Sequence, residues 1–495
     1  MCAGLDDPGG KTSKLRAMIS FMDRPKPSLG EIFTPRGVAV VGASPREMSA
    51  PAGGFVQPLK EAGFPAIYPV NPKYTEVLGL PCYPNLQAVP GVVDHVIVSI
   101  PAESALALLD DCAAKGVKSV HFFTAGFSES GYTERAELER AMLSKARAGG
   151  FRIIGPNCVG LYVSKSHLSN ITGLPVEPGS IGFISQSGGY AQSLLYYSGP
   201  RGLRFSKVVS YGNALDVDES ELLEYLSQDP ETEIIAAYIE GVKDGRRFLN
   251  ALNKATARKP VVIYKGGTTE AGVRAAQGHT ASLAGSTAVF NALCKQTKTI
   301  RVDDIEELID VLVALRFTSP LPQGIGVGVM GQGGGPSVLA GDEMERAGLC
   351  LPRFSPEVQA ELRQFLPLAG AIFDNPVDAT NLLSPEAISA TMSVIGKVPD
   401  IHLLVYHMGF HPVSRWASGR LSTETFLQPA VDALLGVQRE IGKPVVLALR
   451  PPQDLRGMKD FLATQEAFGL AGFPVFHSLF RAAKAIALVV AWSQR

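Results

Sequence analysis

The chain has 495 residues, 46% of them hydrophobic and 19% charged, and a formal net charge of -1. This composition suits compact globular domains rather than a disordered chain, and the length exceeds one ordinary domain, so three are expected. The near-neutral balance, without a long charge run, speaks against a nucleic-acid-binding or membrane-surface protein.

Residues 1–30 are polar and contain Pro and Gly, and they read as a flexible lead-in. Gly37–Gly42 (GVAVVG) predicts a strand that enters a Gly-Ala-Ser turn, and Val-Asn-Pro-Lys follows a second strand. Asp94–Ile100, Val117–Phe123 and Phe151–Gly155 are further short apolar strands, with helical spacing over Glu103–Lys115 and Thr133–Ala148 between them. Alternation of continuous apolar strands with helices indicates a parallel sheet covered on both faces. Residues 31–172 therefore form a Rossmann-like domain.

A second cycle occupies residues 173–317. Its strands are Ser180–Ser185, Ser206–Ser210, Glu233–Glu240 and Pro260–Lys265, its helices are Val217–Gln228 and Gly245–Ala257, and a helix at Asp303–Phe317 closes it. Thr318–Gly324, with two prolines and a glycine, is a linker. A third cycle spans 322–495, with strands expected at Ile325–Met330, His402–His407, Pro444–Leu449 and near Pro474–Phe476. The fold class is α/β, with three consecutive domains and mainly parallel sheets.

The six cysteines (Cys2, Cys82, Cys112, Cys158, Cys294, Cys350) lie far apart, with no CxxC or Cys/His cluster. Neither a disulfide framework nor a metal site is expected. No apolar run is long enough to span a bilayer and no apolar signal core opens the chain, so the expected location is cytoplasmic.

Three strand–glycine–helix junctions could bind anions, because the first N–H groups of a helix point outward unsatisfied. They are Gly42-Ala43-Ser44, then Ser187-Gly188 within Ser185–Gly189, and Gly334-Gly335 within Gly331–Pro336. A plain α/β turn explains each alone equally well. Lys73 could meet a ligand phosphate or be an ordinary surface lysine. Gly278–Gly285 (GHTASLAG) sets His279 in a small-residue loop before an amphipathic run. A neutral imidazole there is a competent nucleophile if an acceptor holds its other nitrogen. Glu240 ends an apolar strand 39 residues earlier, at the carboxyl edge where α/β folds place ligands. It could be that acceptor, or a carboxylate that caps the following helix. His95, His121, His402 and His407 lie in apolar strand patterns and read as core histidines, whereas His411 and His477 lie at loop-like positions without a legible partner.

Taken together, VAVVGAS (38–44), YPVNPK (68–73), TAGFSESG (124–131), IIGPNCVG (153–160), FISQSG (183–188), YIEG (238–241), GHTASLAG (278–285), GGGPSVLAGDE (333–343) and NPVD (375–378) resemble the α subunit of ADP-forming acyl-CoA (acetyl-CoA) synthetases, in the succinyl-CoA synthetase superfamily. The resemblance implies a CoA-binding domain, a ligase domain with a phosphorylated histidine, and a third, flavodoxin-like domain. It makes His279 the phosphorylated residue and Glu240 its carboxylate partner. Gly42, Ala43, Ser44, Lys73, Thr124, Ala125, Gly126 and Asn157 would line the CoA site. The helices opening at Ser187-Gly188 and Gly334-Gly335 would point their positive ends at the phosphate. The reaction implied is reversible: carboxylic acid, CoA and ATP give acyl-CoA, ADP and phosphate, through an acyl phosphate and phosphohistidine. Three α-subunit domains account for the chain, so ATP or ADP and Mg²⁺ are expected on a separate ATP-grasp β subunit, in an α2β2 assembly.

Ala281 stands where the family usually has glycine. Two rival readings are a non-catalytic CoA- or acyl-CoA-sensing module and an NAD-dependent Rossmann oxidoreductase. His279 and Glu240 disfavour the first, and the absence of GxGxxG spacing at the first strand-turn disfavours the second.

Overall fold

A computed structural model of the chain describes residues 26–45, 54–280, 286–382, 384–409, 423–452 and 454–494, with side chains for all of these except 277–280, 423–426 and 456. Cys2, residues 46–52, Gly53, Ala281 and His411 lie outside the described residues. The chain divides into two compact units, one formed by residues up to 196 together with 204–297, the other by 197–203 together with 298–495.

The first unit opens with α1 (Leu29–Phe33), whose start is fixed by a capping box between Ser28 and Glu31. There follow β1 (Val38–Val41), α2 (Val56–Glu61), β2 (Ile67–Val70), a small hairpin of β3 (Glu76–Val77) and β4 (Leu80–Pro81), β5 (His95–Val98), α3 (Ala105–Lys115), β6 (Ser119–Phe122), α4 (Thr133–Gly149) and β7 (Arg152–Ile154). The parallel order is β2-β1-β5-β6-β7. The chain steps outward from β1 to β2 and then returns to the other side of β1. That reversal opens a crevice at the carboxyl ends of β1 and β5, where doubly wound sheets bind ligands.

The second sheet begins with a hairpin, β8 (Leu161–Val163) and β9 (Leu168–Ser169), which the sequence reading lacks. The parallel set follows: β10 (Ile181–Ser185), α5 (Gly188–Ser198), β11 (Phe205–Ser210), α6 (Glu219–Gln228), β12 (Ile234–Ile239), α7 (Gly245–Thr256), β13 (Val261–Lys265), α8 (Glu270–Thr280) and α9 (Thr287–Gln296). Within this unit the strands run β13-β12-β10-β11-β8-β9, with β8 antiparallel to β11. One continuous apolar core reaches from Leu29 and Val38 through Ile184, Ile239 and Ile263 to Cys294. The first two α/β modules therefore pack as one body.

The other unit contains β14 (Ile300–Val302), α10 (Ile305–Phe317), β15 (Val327–Gly331), α11 (Gly334–Arg346), α12 (Pro356–Leu362), β16 (Val377–Asp378), α13 (Pro385–Gly396), β17 (Leu403–Gly409), α14 (Thr423–Ile441), β18 (Val445–Arg450), α15 (Leu455–Leu470), β19 (Val475–Phe476) and α16 (Leu479–Ser493). Its sheet is parallel, in the order β16-β15-β17-β18-β19.

Helix α10, read from sequence as the end of the second domain, groups with the third. Its Asp310 sits between two guanidiniums, Arg201 at 3.0 Å and Arg481 of α16 at 2.5 Å. His477 has the partner that its sequence context did not show, Gln465 at 2.6 Å, and burial together with Arg201 and Arg481 pushes its imidazole down to about 3. His95, His121 and His407 are buried as expected, whereas His402 is half-buried. At the third glycine junction α11 starts at Gly334, which puts Pro336 in its first turn.

Candidate functional site

The residues expected around CoA collect at one edge of the first sheet. Gly42 follows β1 with φ of 95°, and a Cβ there would lie 2.6 Å from the Ser99 carbonyl oxygen beyond β5. Only glycine meets both demands. Asn71, after β2, donates to the Ala43 carbonyl at 2.8 Å and accepts the Lys73 N–H at 3.0 Å, which ties the Gly42–Ser44 turn to exposed Lys73. Thr124, after β6, donates its hydroxyl to Ile100 at 2.7 Å, and its carbonyl accepts the Asn157 N–H at 3.0 Å. Ala125 is exposed.

A carboxylate missed by the sequence reading organises this loop. Glu129 accepts the N–H of Gly126 at 2.5 Å, that of Phe127 at 3.1 Å, and the Asn213 side-chain amide at 2.6 Å. Asn213 comes from beyond β11, so Glu129 joins the first module to the second. No local spacing pairs residues 129 and 213, and only tertiary structure shows the bond.

The second candidate edge belongs to the second sheet. Ser187 is buried; its N–H donates to Ser185 Oγ at 3.2 Å and its own Oγ accepts the Tyr190 N–H at 3.4 Å. This is N-cap chemistry at the start of α5. A Cβ on Gly188 would lie 2.6 Å from a Val159 methyl, so the helix start abuts the 155–160 loop that leaves the first sheet. Glu240, buried at the end of β12, has its backbone held on both sides. Gln186 Oε1 accepts the Glu240 N–H and, at 3.0 Å, the Gly241 N–H, while Lys265 Nζ donates to the Glu240 carbonyl at 2.6 Å. Gln186 and Lys265 were not singled out from sequence as site residues.

The segment around His279 needs a correction. Gly278, His279 and Thr280 form the last turn of α8 rather than part of a loop, and the side chain of His279 lies outside the described residues. The run Glu270–Gln277 contains Glu, Arg, Gln and three alanines, which favour helix and outweigh Gly272 and Gly278. Thr269 Oγ1 accepts the Gly272 N–H at 3.1 Å and caps the helix start. Helix α8 follows β13, the strand paired with β12, and it lies against the Ser128–Ser130 turn that contains Glu129. The helix of His279 thus has the CoA-side loop as a neighbour.

Gly334 and Gly335 are exposed at the start of α11, in the other compact unit. Asp378 at the end of β16 takes the Gly333 N–H at 2.7 Å, so a carboxylate already stands beside this helix end. His407, pushed down to about 4 by burial, hydrogen-bonds Ser337 at 3.3 Å beneath it. Among the described residues no group of three or more His, Cys, Asp or Glu side chains could hold a metal ion, and no helix is long and apolar enough to cross a membrane.

The geometry defines a class of protein: an α/β chain in which a doubly wound sheet shares one apolar core with a second, mainly parallel α/β module. Known proteins agree. The CoA binding domain family matches residues 36–164, the succinyl-CoA ligase like flavodoxin domain 178–315, and the ligase-CoA domain 327–474. The acetate–CoA ligase [ADP-forming] II subunit alpha of Pyrococcus furiosus is 38% identical over 379 residues, covering 76% of this chain and 81% of that protein. The acetate–CoA ligase [ADP-forming] I of Archaeoglobus fulgidus is 33% identical over 468 residues, and the chain spans 63% of its length. A solved structure titled "Ca. Korarchaeum cryptofilum dinucleotide forming Acetyl-coenzyme A synthetase 1 in complex with phosphate and ADP" superposes with a TM-score of 0.78 at 31% identity, covering 94% of this chain and 97% of that one. The chain belongs to the family of ADP-forming acyl-CoA ligases, and relatives named as acetate–CoA ligase alpha subunits are among the proteins it is similar to.

Proposed function

We propose that this chain performs the CoA half of a reversible, ADP-forming ligation of a small carboxylic acid to CoA. Phosphate attacks the acyl-CoA carbonyl, the C–S bond breaks, and acyl phosphate and CoA thiolate form. The imidazole of His279 then attacks phosphorus, which releases the carboxylate and leaves phosphohistidine. ADP takes the phosphoryl group in the last step, on a partner chain that holds the nucleotide and Mg²⁺. In the opposite direction the same steps make acyl-CoA. Two displacements through a covalent intermediate replace one difficult transfer.

The observation that carries this reading is the position of α8. It runs from the strand beside Glu240 and lies against the turn that shapes the CoA-side loop. Glu240 accepts the imidazole N–H and stabilises the cationic phosphoimidazole. Ser187 and Gly188, with the first amides of α5, meet the phosphate; Gly334 and Gly335 are the corresponding group in the other unit. Gly42, Ala43, Ser44, Lys73, Thr124, Ala125, Gly126 and Asn157 hold CoA. The relatives named subunit alpha support a separate partner chain, which we assign as an ATP-grasp β subunit in an α2β2 assembly.

The test is phosphorylation of the chain by acyl-CoA and ³²P-labelled phosphate without nucleotide. Wild type takes up acid-labile, base-stable label, and His279→Ala takes up none. Label on His279→Ala ends the assignment. Glu240→Gln is expected to slow labelling with CoA affinity unchanged, and an unchanged rate removes Glu240 from the mechanism.

A further inference from the structure

The carboxylate that shapes the CoA-side loop is itself placed by the second module. Glu129 Oε1 accepts the N–H of Gly126 at 2.5 Å and that of Phe127 at 3.1 Å. Its Oε2 accepts Asn213 Nδ2 at 2.6 Å. The same Nδ2 donates to Glu139 of α4 at 3.0 Å. Asn213 is buried, and its Oδ1 has no hydrogen-bond partner among the described residues. The neighbours therefore fix which way the amide points: turned over, it would set its oxygen against two carboxylates. A buried acceptor left unpaired costs stability, so packing alone does not account for an asparagine here.

Asn213 is held as firmly as the carboxylate it meets. It lies in the turn Gly212–Ala214 after β11, where Gly212 has φ of 50° and a Cβ would lie 2.2 Å from the Pro156 carbonyl oxygen. The Asn213 N–H donates to that same carbonyl at 3.0 Å. From the other side Lys243, three residues after Glu240, donates Nζ to the Asn213 carbonyl at 2.6 Å and to the Ala214 carbonyl at 2.9 Å. One residue thus meets the carboxylate of the CoA-side loop, the 155–160 loop and the segment that follows Glu240. Hydrogen bonds to a carboxylate are stronger than neutral ones, so the direction set at Asn213 passes through Glu129 to the Gly126–Phe127 turn.

We propose that Asn213 is a positioning residue for CoA: it aims the Glu129 carboxylate, and through it holds the Gly126–Phe127 turn in the shape that binds CoA. This rests on the assignment of Gly126 and its neighbours to the CoA site made above. CoA affinity is then set in part from the module that carries Glu240, not by the CoA-side loops alone. Transfer of phosphoryl from acyl phosphate to the chain uses no CoA, so it separates this role from a general effect on the fold.

Exchanging donor and acceptor tests the proposal. CoA affinity is measured by calorimetry, and labelling by ³²P-labelled acyl phosphate without CoA is timed. Both are done on wild type, Asn213→Asp, Glu129→Gln and the double variant, each with its thermal midpoint. Asn213→Asp sets a third carboxylate against Glu129 and Glu139. It is expected to weaken CoA binding roughly tenfold, the order of one hydrogen bond to a charged group, with labelling near the wild-type rate. Glu129→Gln, which adds no charge, is expected to weaken CoA binding as well, and it carries the test if Asn213→Asp folds poorly. In the double variant an amide at position 129 donates to a carboxylate at position 213 while its oxygen still accepts the Gly126 N–H, and most of the lost affinity is expected to return. Wild-type CoA affinity in either single variant overturns the proposal. So does a loss that the double variant deepens, as independent defects add, or one matched by an equal slowing of acyl phosphate labelling, which marks a merely structural role. Absence of CoA binding by wild type overturns the parent assignment and this one with it.

Discussion

At the scale of single residues, Gly42 shows how local chemistry reaches the site. A side chain there meets both a left-handed backbone, φ 95°, and the Ser99 carbonyl 2.6 Å from its Cβ. Gly42→Ala is expected to cost about 1–3 kcal/mol of stability, as strained backbone positions do, and to weaken CoA binding. Thermal unfolding and a CoA titration check both, and a wild-type midpoint would show that the turn opens without strain. Gly42, Ser187 and Glu240 were legible in the sequence because strand, turn and helix start follow one another within a few residues. Gln186 and Glu129 were not legible as supports of the two edges, because each acts through a fold-level contact. Gln186 reaches Glu240 across 54 residues, and Asn213 reaches Glu129 across 84.

At the scale of elements, ion pairs fasten the first sheet to the second module. Arg152 on β7, almost fully buried, donates to Asp216 at 2.7 Å and to Glu221 of α6 at 2.6 and 2.8 Å. Removing one partner from such a cluster strands the other charges, at a typical cost of about 3–5 kcal/mol. Arg152→Met is expected to show a loss of that order by denaturant unfolding, and a loss under 1 kcal/mol would mean that the carboxylates find water. Burial pushes the Asp216 carboxyl up, but the Arg152 hydrogen bonds and charge prevail and hold it below the usual carboxylate range. Its contribution is therefore present above the unfolded carboxyl value and is lost as pH falls through the folded one, on the acid side. Glu219, at the start of α6, has the opposite sign. Burial and the nearby Asp218 charge raise its carboxyl to about 7 from 4.5. Stability from this group is full below about pH 4.5 and is lost as pH rises toward 7. Glu219→Gln is expected to flatten that decline and to raise the thermal midpoint at pH 8, and an unchanged midpoint there would place the carboxyl in solvent. Apolar strands such as β10, β12 and β18 were legible within a residue or two, because their periodicity is continuous. Helix α8 was missed because two glycines near its ends hid a run of good helix formers, and the β8–β9 hairpin was missed because strands of three and two residues carry too little pattern.

At the scale of the whole molecule, the alternation of strands and helices made the α/β class legible, and three domain families tile residues 36–474. The grouping of those modules was not legible. It depends on Asp310 meeting Arg201 and Arg481, and on a core running from Leu29 to Cys294. The same scale governs how the reaction is divided between chains. Two relatives of this family are named as alpha subunits, whereas the Methanocaldococcus jannaschii acetate–CoA ligase, of which this chain spans 49%, carries its remaining length in the same polypeptide. If the nucleotide step belongs to a partner, the two half-reactions must separate cleanly. The purified chain is expected to take label from acyl-CoA and ³²P phosphate, reach a stable plateau of up to one phosphoryl group per chain, and keep it when ADP and Mg²⁺ are added. Addition of the ATP-grasp chain is then expected to discharge the label into ATP. Discharge by ADP and Mg²⁺ alone would place a nucleotide site on this chain and remove the need for the partner. A plateau that the partner cannot discharge would leave the phosphohistidine without its second acceptor, and with it the assignment of His279 as a carrier.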